Sequence, residues 1–289
     1  MTVQFVSPVD RSELRQVDAA LIDGSGRRFT VVGDVAQLVH PDQLEAADAF
    51  SKAYGAVRRA EGRTSLSRDY YRALPYRDLT GNFPDQWEAR ARTYDLVRAH
   101  LADGPRRILD AGAGNCWLAA RLSADGHEVA ATDLNDDTDD GLGAHIHYDQ
   151  RFPVARAAMD ALPLADSSVD TVIYNASAHY ADLGRLLSEA QRVLQPDGEV
   201  LIADSPVYRD AAAGEQMVAE MAAYIRTLGV EPAPHAGPGY LTQTALDTAG
   251  VDWRQLDHTT IAGRLRRRVA GWKAHREAAT LPLLLGRFS

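Results

Sequence analysis

The sequence predicts an α/β fold, doubly wound, with a mostly parallel seven-stranded sheet and helices on both faces. Two observations carry this. Residues 106–134, RRILDAGAGNCWLAARLSADGHEVAATDL, run strand, glycine turn, helix, strand and acid, the first half of a nucleotide-binding βαβ unit. From there to the C-terminus strand and helix patterns alternate, which means parallel strands joined by crossover helices. At 289 residues and 45% hydrophobic content, the chain can bury such a core beside a small appendage.

In chain order, residues 1–45 alternate short β-prone runs with turns: Val3–Val6, Ala19–Ile22, Asp23-Gly24-Ser25-Gly26, then Phe29–Val32. An Asp-Gly turn between β-prone runs signals a hairpin. Asp42–Arg59 reads as one amphipathic helix ended by Gly62. Pro84-Asp85-Gln86-Trp87 opens a second helix running to His100, with proline and acids in its first turn. The seven strands are expected at Ile108, Val129–Thr132, Val154–Met159, Val169–Tyr174, Glu199–Asp204, Trp253–His258 and Leu281–Phe288. Helices are expected at Asn115–Ala124, Ala211–Leu228 and Thr244–Ala249, with a Pro/Gly-rich loop at Glu231–Gly239. Three regions follow: residues 1–60 as a small hairpin-plus-helix module, 61–105 as a helical lid or linker, and 106–289 as the ligand-binding domain.

The glycine turn also limits its ligand. Dinucleotide sites use G-x-G-x-x-G, with the third glycine packing helix on strand. Here that position is Trp117, which disfavours a close pyrophosphate. Asp110, just before the turn, would repel a diphosphate but suits the ammonium of an amino acid. Asp133, closing the next strand, can bind ribose hydroxyls. A ribose, no phosphate and a cationic amino-acid end describe S-adenosylmethionine.

On these residues the chain resembles the class I S-adenosylmethionine-dependent methyltransferases, specifically their bacterial small-molecule branch, with a Rossmann-like sheet. Asp160-Ala161-Leu162-Pro163-Leu164-Ala165-Asp166-Ser167-Ser168-Val169-Asp170-Thr171-Val172-Ile173 resembles that branch's LPF-x-D-x-S-F-D-x-V block. Arg192-Val193-Leu194-Gln195-Pro196-Asp197-Gly198 is similar to its RVLKPGG turn. The three motifs cover about residues 106–205. Gly26-Arg27-Arg28-Phe29-Thr30-Val31-Val32-Gly33-Asp34-Val35-Ala36-Gln37-Leu38 resembles a zinc-ribbon-derived domain preceding some methyltransferases, without its metal cysteines, so the module is expected to be metal-free. A plain capping hairpin is the alternative.

Ligands of open α/β sheets bind beyond the carboxyl ends of the strands, near the switch in strand order. That rule and the resemblance assign the cofactor to Asp110, Ala111, Gly112, Ala113, Gly114, Asp133, Leu134, Met159, Asp160 and Asn175. The family's adenine-binding acid falls on Ala158 here. Either Asp160 or the backbone of Met159 takes that contact. Asn175-Ala176-Ser177-Ala178-His179-Tyr180 lacks the two prolines of the Asn-Pro-Pro-Tyr motif, which argues against adenine or glutamine N-methylation. His179 is the candidate base for an oxygen acceptor. Its plain alternative is a helix-start histidine bonded to backbone. Tyr180, Asp204 and Tyr208 are candidates for orienting the acceptor. Tyr70, Tyr71, Tyr76, Trp87 and Arg90 are candidate lid residues over the pocket, or else packing for their helices.

The expected function is methyl transfer to a small-molecule acceptor in specialised or secondary metabolism. A cyclisation or rearrangement on the same fold, RNA methylation, and a non-catalytic binding module stay open beside it. No run approaches ~18 apolar residues, so no membrane span is expected. The N-terminus lacks a basic-then-apolar leader and the single Cys116 excludes internal disulfides, which together suggest the cytoplasm. A net charge of −9 disfavours nucleic acid and anionic membrane as partners. Asn135–Gly141 suggests a calcium loop, but His147 stands where the closing Glu is needed. His145-x-His147 lies near acids, yet no metal is expected. Arg264–Arg268 reads as a solvated basic face.

Overall fold

The computed structural model describes residues 3–63, 67–256, 272 and 275–288. The chain opens with short strands β1 (Arg15–Val17), β2 (Ala20–Ile22), β3 (Arg28–Val32) and β4 (Val35–Gln37). Three helices follow, α1 (Leu44–Ala60), α2 (Arg68–Ala73) and α3 (Pro84–His100). Then come β5 (Arg107–Ala111), α4 (Trp117–Ala124), β6 (Glu128–Asp133), β7 (Val154–Arg156), β8 (Val169–Asn175), α5 (Leu183–Val193) and β9 (Leu194–Ala203). The C-terminal part holds β10 (Val207–Tyr208), α6 (Ala211–Thr227), β11 (Leu241–Thr242), α7 (Gln243–Asp247), β12 (Val251–Leu256) and β13 (Leu283–Phe288). The basic run Arg264–Arg268 and His258 lie outside the described residues.

The main sheet has the order β1-β2-β3-β4-β7-β6-β5-β8-β9-β13-β12. The seven expected strands form its block β7 to β12. β7, β6, β5, β8 and β9 are parallel, while β13 is antiparallel to both neighbours. The sheet is therefore mixed and wider than seven strands. The N-terminal strands join it, because β4 pairs in parallel with β7 through Ala36↔Ala155 and Gln37↔Arg156. Without β4, the edge of β7 would leave unpaired N–H and C=O groups. The expected N-terminal module is thus an extension of the sheet. Its zinc-ribbon-like segment is the β3–β4 hairpin, and β2–β3 is the hairpin at the Asp-Gly turn.

Strand periodicity places the core. Ile108, Ala131, Ile173, Leu201 and Leu285 face one layer, where Trp87, Tyr94 and Val97 of α3 and Leu118 and Leu122 of α4 pack. Their neighbours Leu109, Ala130, Val172, Val200 and Leu284 face the other, against Leu186, Leu187 and Ala190 of α5. Apolar residues on both sides of each central strand are what a sheet covered on both faces requires. The chain order departs from β5 toward β6 and β7 on one side and toward β8 and β9 on the other. That reversal opens a crevice at the carboxyl ends of β5 and β8. Among the described residues, no helix is long and apolar enough to cross a membrane.

Candidate cofactor and acceptor site

The glycine turn leaves β5 folded tightly against the end of β6. Gly112 and Ala113 both donate to the carbonyl of Thr132, at 2.7 and 3.0 Å. Gly112 has φ +73°, and a Cβ there would stand 2.3 Å from Cβ of Ser177, so only glycine fits. Ser177 is held in turn by its hydroxyl, which donates to the Ala111 carbonyl at 2.8 Å. Asp110 is fully buried. Its Oδ2 accepts from the Ala119 amide at 3.1 Å, while Oδ1 has no partner. Burial, aided by the nearby charge of Asp133, pushes its pKa up to about 7. Asp133 is braced by two amides, Gly114 N–H on Oδ2 and Asn135 N–H on Oδ1, both at 2.8 Å.

The turn lies in a cavity of about 700 Å³, a volume suited to small organic ligands. Besides Asp110, Gly112, Ala113, Gly114 and Asp133, its wall includes Leu134, Met159, Asp160 and Asn175. Its outer wall is α1, through Ala47, Phe50, Tyr54 and Arg58, joined by Arg90 of α3, Tyr180 and the loop Pro234–Ala236. Phe50, Tyr54 and Tyr180 form an aromatic cluster with ring centroids 5.2–6.2 Å apart. The helix α1 is fastened to the loop after Asp133. Arg58 pairs with buried Asp140, Arg59 with Asp137 at 3.2 Å, and the Ser51 hydroxyl with Asn135 Oδ1 at 3.4 Å.

Residues 109–202 match the family model described as a methyltransferase domain. This part of the chain is similar to a methyltransferase domain. An arsenite methyltransferase of Aquipseudomonas alcaligenes is 30% identical over 157 residues, 49% of this chain and 44% of that protein. A malonyl-[acyl-carrier protein] O-methyltransferase of Dechloromonas aromatica is 34% identical over 134 residues, 40% of this chain and 48% of that protein. The chain thus spans less than half the length of these curated relatives. A phosphoethanolamine N-methyltransferase 2 of Haemonchus contortus, solved with S-adenosyl-L-methionine, superposes with TM-score 0.47 at 16% identity, over 80% of this chain and 60% of that one.

S-adenosylmethionine is the cofactor of such a methyltransferase domain, and the residues present fit it. Asp110 Oδ1, Asn115 Oδ1 and Asn175 Oδ1 are buried acceptors without a hydrogen-bond partner, and all three residues line the cavity. Buried acceptors left open cost free energy until donors reach them. An ammonium and ribose hydroxyls supply donors; a phosphate supplies none. Gly114 adds no obstruction, since a Cβ there would meet nothing within 4 Å.

The cofactor residues expected from sequence gather here, with Ala111 fully buried behind them. Asp160 is engaged by the Gln43 amide at 3.1 Å. Several other expectations need correction. Residues 61–105 do not form the lid: Tyr70, Tyr71 and Trp87 are buried against the sheet, and Tyr71 donates to the Asp139 carbonyl and stacks on His147. Tyr76 faces solvent and donates to Asp95 at 2.9 Å. Of that set only Arg90 reaches the cavity. His179 sits behind Tyr180 with Nδ1 3.2 Å from Ser205 Oγ, outside the cavity wall, and burial drives its pKa down to about 3. Asp204 accepts from Thr93 at 2.7 Å and Tyr208 packs on Tyr240; neither lines the cavity.

Sequence reading does not single out Tyr54, Arg58 and His235, which line this cavity. The Glu231–Gly239 loop was the available signal, since a long Pro/Gly-rich connection in a compact domain is often functional. His235 Nδ1 lies 2.7 Å from the Gly237 carbonyl. A carbonyl only accepts, so Nδ1 carries the proton and Nε2 is left as the basic nitrogen. Among the described residues no group of His, Cys, Asp and Glu could hold a metal ion. The Asn135–Gly141 loop instead closes on itself through Asx hydrogen bonds and serves as the seat of α1.

Proposed function

We propose that the chain transfers a methyl group from S-adenosylmethionine to a small-molecule acceptor of specialised metabolism. The acceptor would lie between α1, Arg90, Tyr180 and the Pro234–Ala236 loop. The observation that carries this reading is the unpartnered oxygen of buried Asp110, which asks for a cation beside a glycine turn open to a ribose. When bound, the cofactor supplies an electrophilic methyl group on a sulfonium.

The chain's own residues hold and orient. Asp110 and Asn175 would take the amino-acid end, Asp133 the ribose hydroxyls, and Leu134 and Met159 would flank the adenine. The aromatic cluster and α1 exclude water, so the approach of the reactants is fixed and little reorganisation is needed. For a protic acceptor the proton would go to Nε2 of His235, because His179 is turned away. The two curated relatives act on different acceptors and are matched over less than half their length, so the acceptor is argued from the cavity. The test is calorimetry with S-adenosylmethionine on wild type and Asp110→Asn, with S-adenosylhomocysteine release followed over a panel of hydroxyl- and carboxyl-bearing small molecules. Equal affinity in both proteins, or product formation without S-adenosylhomocysteine, would overturn the proposal.

A further inference from the structure

The cavity holds two arginines, and only one has its charge satisfied by hydrogen bonds. Arg58 is bound to Asp140 and to Glu61. Arg90 lies over the ring of Trp87, 4.7 Å from its centroid, and makes no hydrogen bond or ion pair within 4 Å to a described residue. We propose that Arg90, with the Tyr54 and Tyr180 hydroxyls, is a subsite for a carboxylate on the acceptor, which is therefore a monoanionic acid with an apolar body. The proposal rests on the reading of the cavity as a methyl-transfer site and adds the class of acceptor.

The placement supports each part. Both phenols feel the charge of Arg90, and neither hydroxyl donates to a described residue. A guanidinium presents paired N–H donors to a carboxylate, and two phenols can complete its remaining lone pairs. Stacking on Trp87 fixes the guanidinium plane, so less side-chain freedom is lost on binding. Burial lowers the pKa of Arg90, the signature of a cation stripped of water. Asp204 is the strongest opposite charge acting on it, but it lies beyond the cavity wall and takes a hydrogen bond from Thr93. Asp110, Asp133, Asp140 and Asp160 line the same cavity, so a dianionic phosphate is opposed more strongly than a monoanion. Phe50, Tyr54 and Tyr180 line the cavity and suit an apolar body attached to that carboxylate.

The probe is benzoate, titrated by calorimetry into the complex of the full chain with S-adenosylhomocysteine, against neutral benzamide. Wild type should favour benzoate by roughly tenfold or more, the usual worth of charge-assisted pairs. Arg90→Gln should remove that preference, Arg90→Lys should keep part of it, and Tyr54→Phe should reduce it. S-adenosylhomocysteine affinity should be the same in all four proteins, which also shows that each variant is folded. Equal binding of benzoate and benzamide by wild type, no benzoate binding, or an undiminished preference in Arg90→Gln would each overturn the subsite alone. If wild type fails to bind S-adenosylhomocysteine, the cofactor reading falls and the subsite falls with it.

Discussion

A buried carboxylate with one oxygen unsatisfied is completed by a cation, and that makes Asp110 sensitive to pH. Burial raises its pKa to about 7, whereas an ammonium needs the charged form. Affinity for S-adenosylmethionine should be greatest between pH 7 and the ligand ammonium's own pKa of about 8, and fall by about tenfold per pH unit below 7, until the bound-state pKa is reached. Calorimetry between pH 5.5 and 8.5 measures this; a flat profile would remove Asp110 from the site. Folding stability should respond in the opposite sense. A raised carboxyl pKa means the folded state takes up the proton first, so this contribution to stability grows as pH falls through 7 and is lost as pH rises. Asp133→Ala should weaken binding by roughly 30-fold or more, the worth of about 2–4 kcal/mol of charge-assisted hydrogen bonds. His179→Gln should leave turnover nearly intact, while His235→Gln should lose about 10²–10⁴-fold, the usual effect of a missing proton acceptor. Single-turnover rates separate the two, and the reverse ranking would restore His179. Asp110, Gly112 and Asp133 are legible in sequence because backbone geometry demands those residues at that spacing. His235 is not, since its place in the wall comes from Gly237 and Gly239 donating to the Tyr180 and His179 carbonyls across the fold.

At the level of elements, most helices and strands follow from periodicity and capping. Pro84 at the first turn of α3 and the Asp182 side chain accepting from the Arg185 amide at α5 are such signals. The lid was misplaced for a physical reason. The aromatics of residues 61–105 signal burial, and they are buried, but against the sheet. The apolar face of α1 looks like that of any amphipathic helix, and nothing in its sequence says that it borders a cavity. Arg58 and Asp140 are both largely buried, their side chains 15% and 10% exposed. Arg58→Gln would strand Asp140 without its cation, a loss of about 3–5 kcal/mol where the partner stays buried. Thermal unfolding should show it as a lowered Tm, with earlier proteolysis in α1; an unchanged Tm would mean water reaches Asp140 freely. Gly112→Ala should cost about 2–4 kcal/mol and cofactor binding as well, because Ser177 and the β5 turn must both move.

On the scale of the whole molecule, the doubly wound core is legible from the βαβ unit at residues 106–134 and the alternation that follows it, but the width of the sheet is not. Three-residue strands such as β1, β2 and β4 carry too little pattern to show which edge they will join. Deleting residues 1–40 should expose β7 and Ala155, which Phe29 and Leu38 cover, giving aggregation-prone protein. Light scattering and soluble yield would check this, and a stable monomeric product would show that the extension is dispensable. One feature described above links these scales. The loop after Asp133 braces the ribose-binding carboxylate through Asn135 N–H and also receives α1 through Asn135, Asp137 and Asp140. A ligand hydroxyl on Asp133 and the seating of α1 therefore bear on the same loop, and any coupling between them must be reciprocal. Salt should screen the exposed Arg59–Asp137 pair far more than the buried Arg58–Asp140 pair, so one end of α1 keeps its hold on the loop at ionic strengths that loosen the other contact.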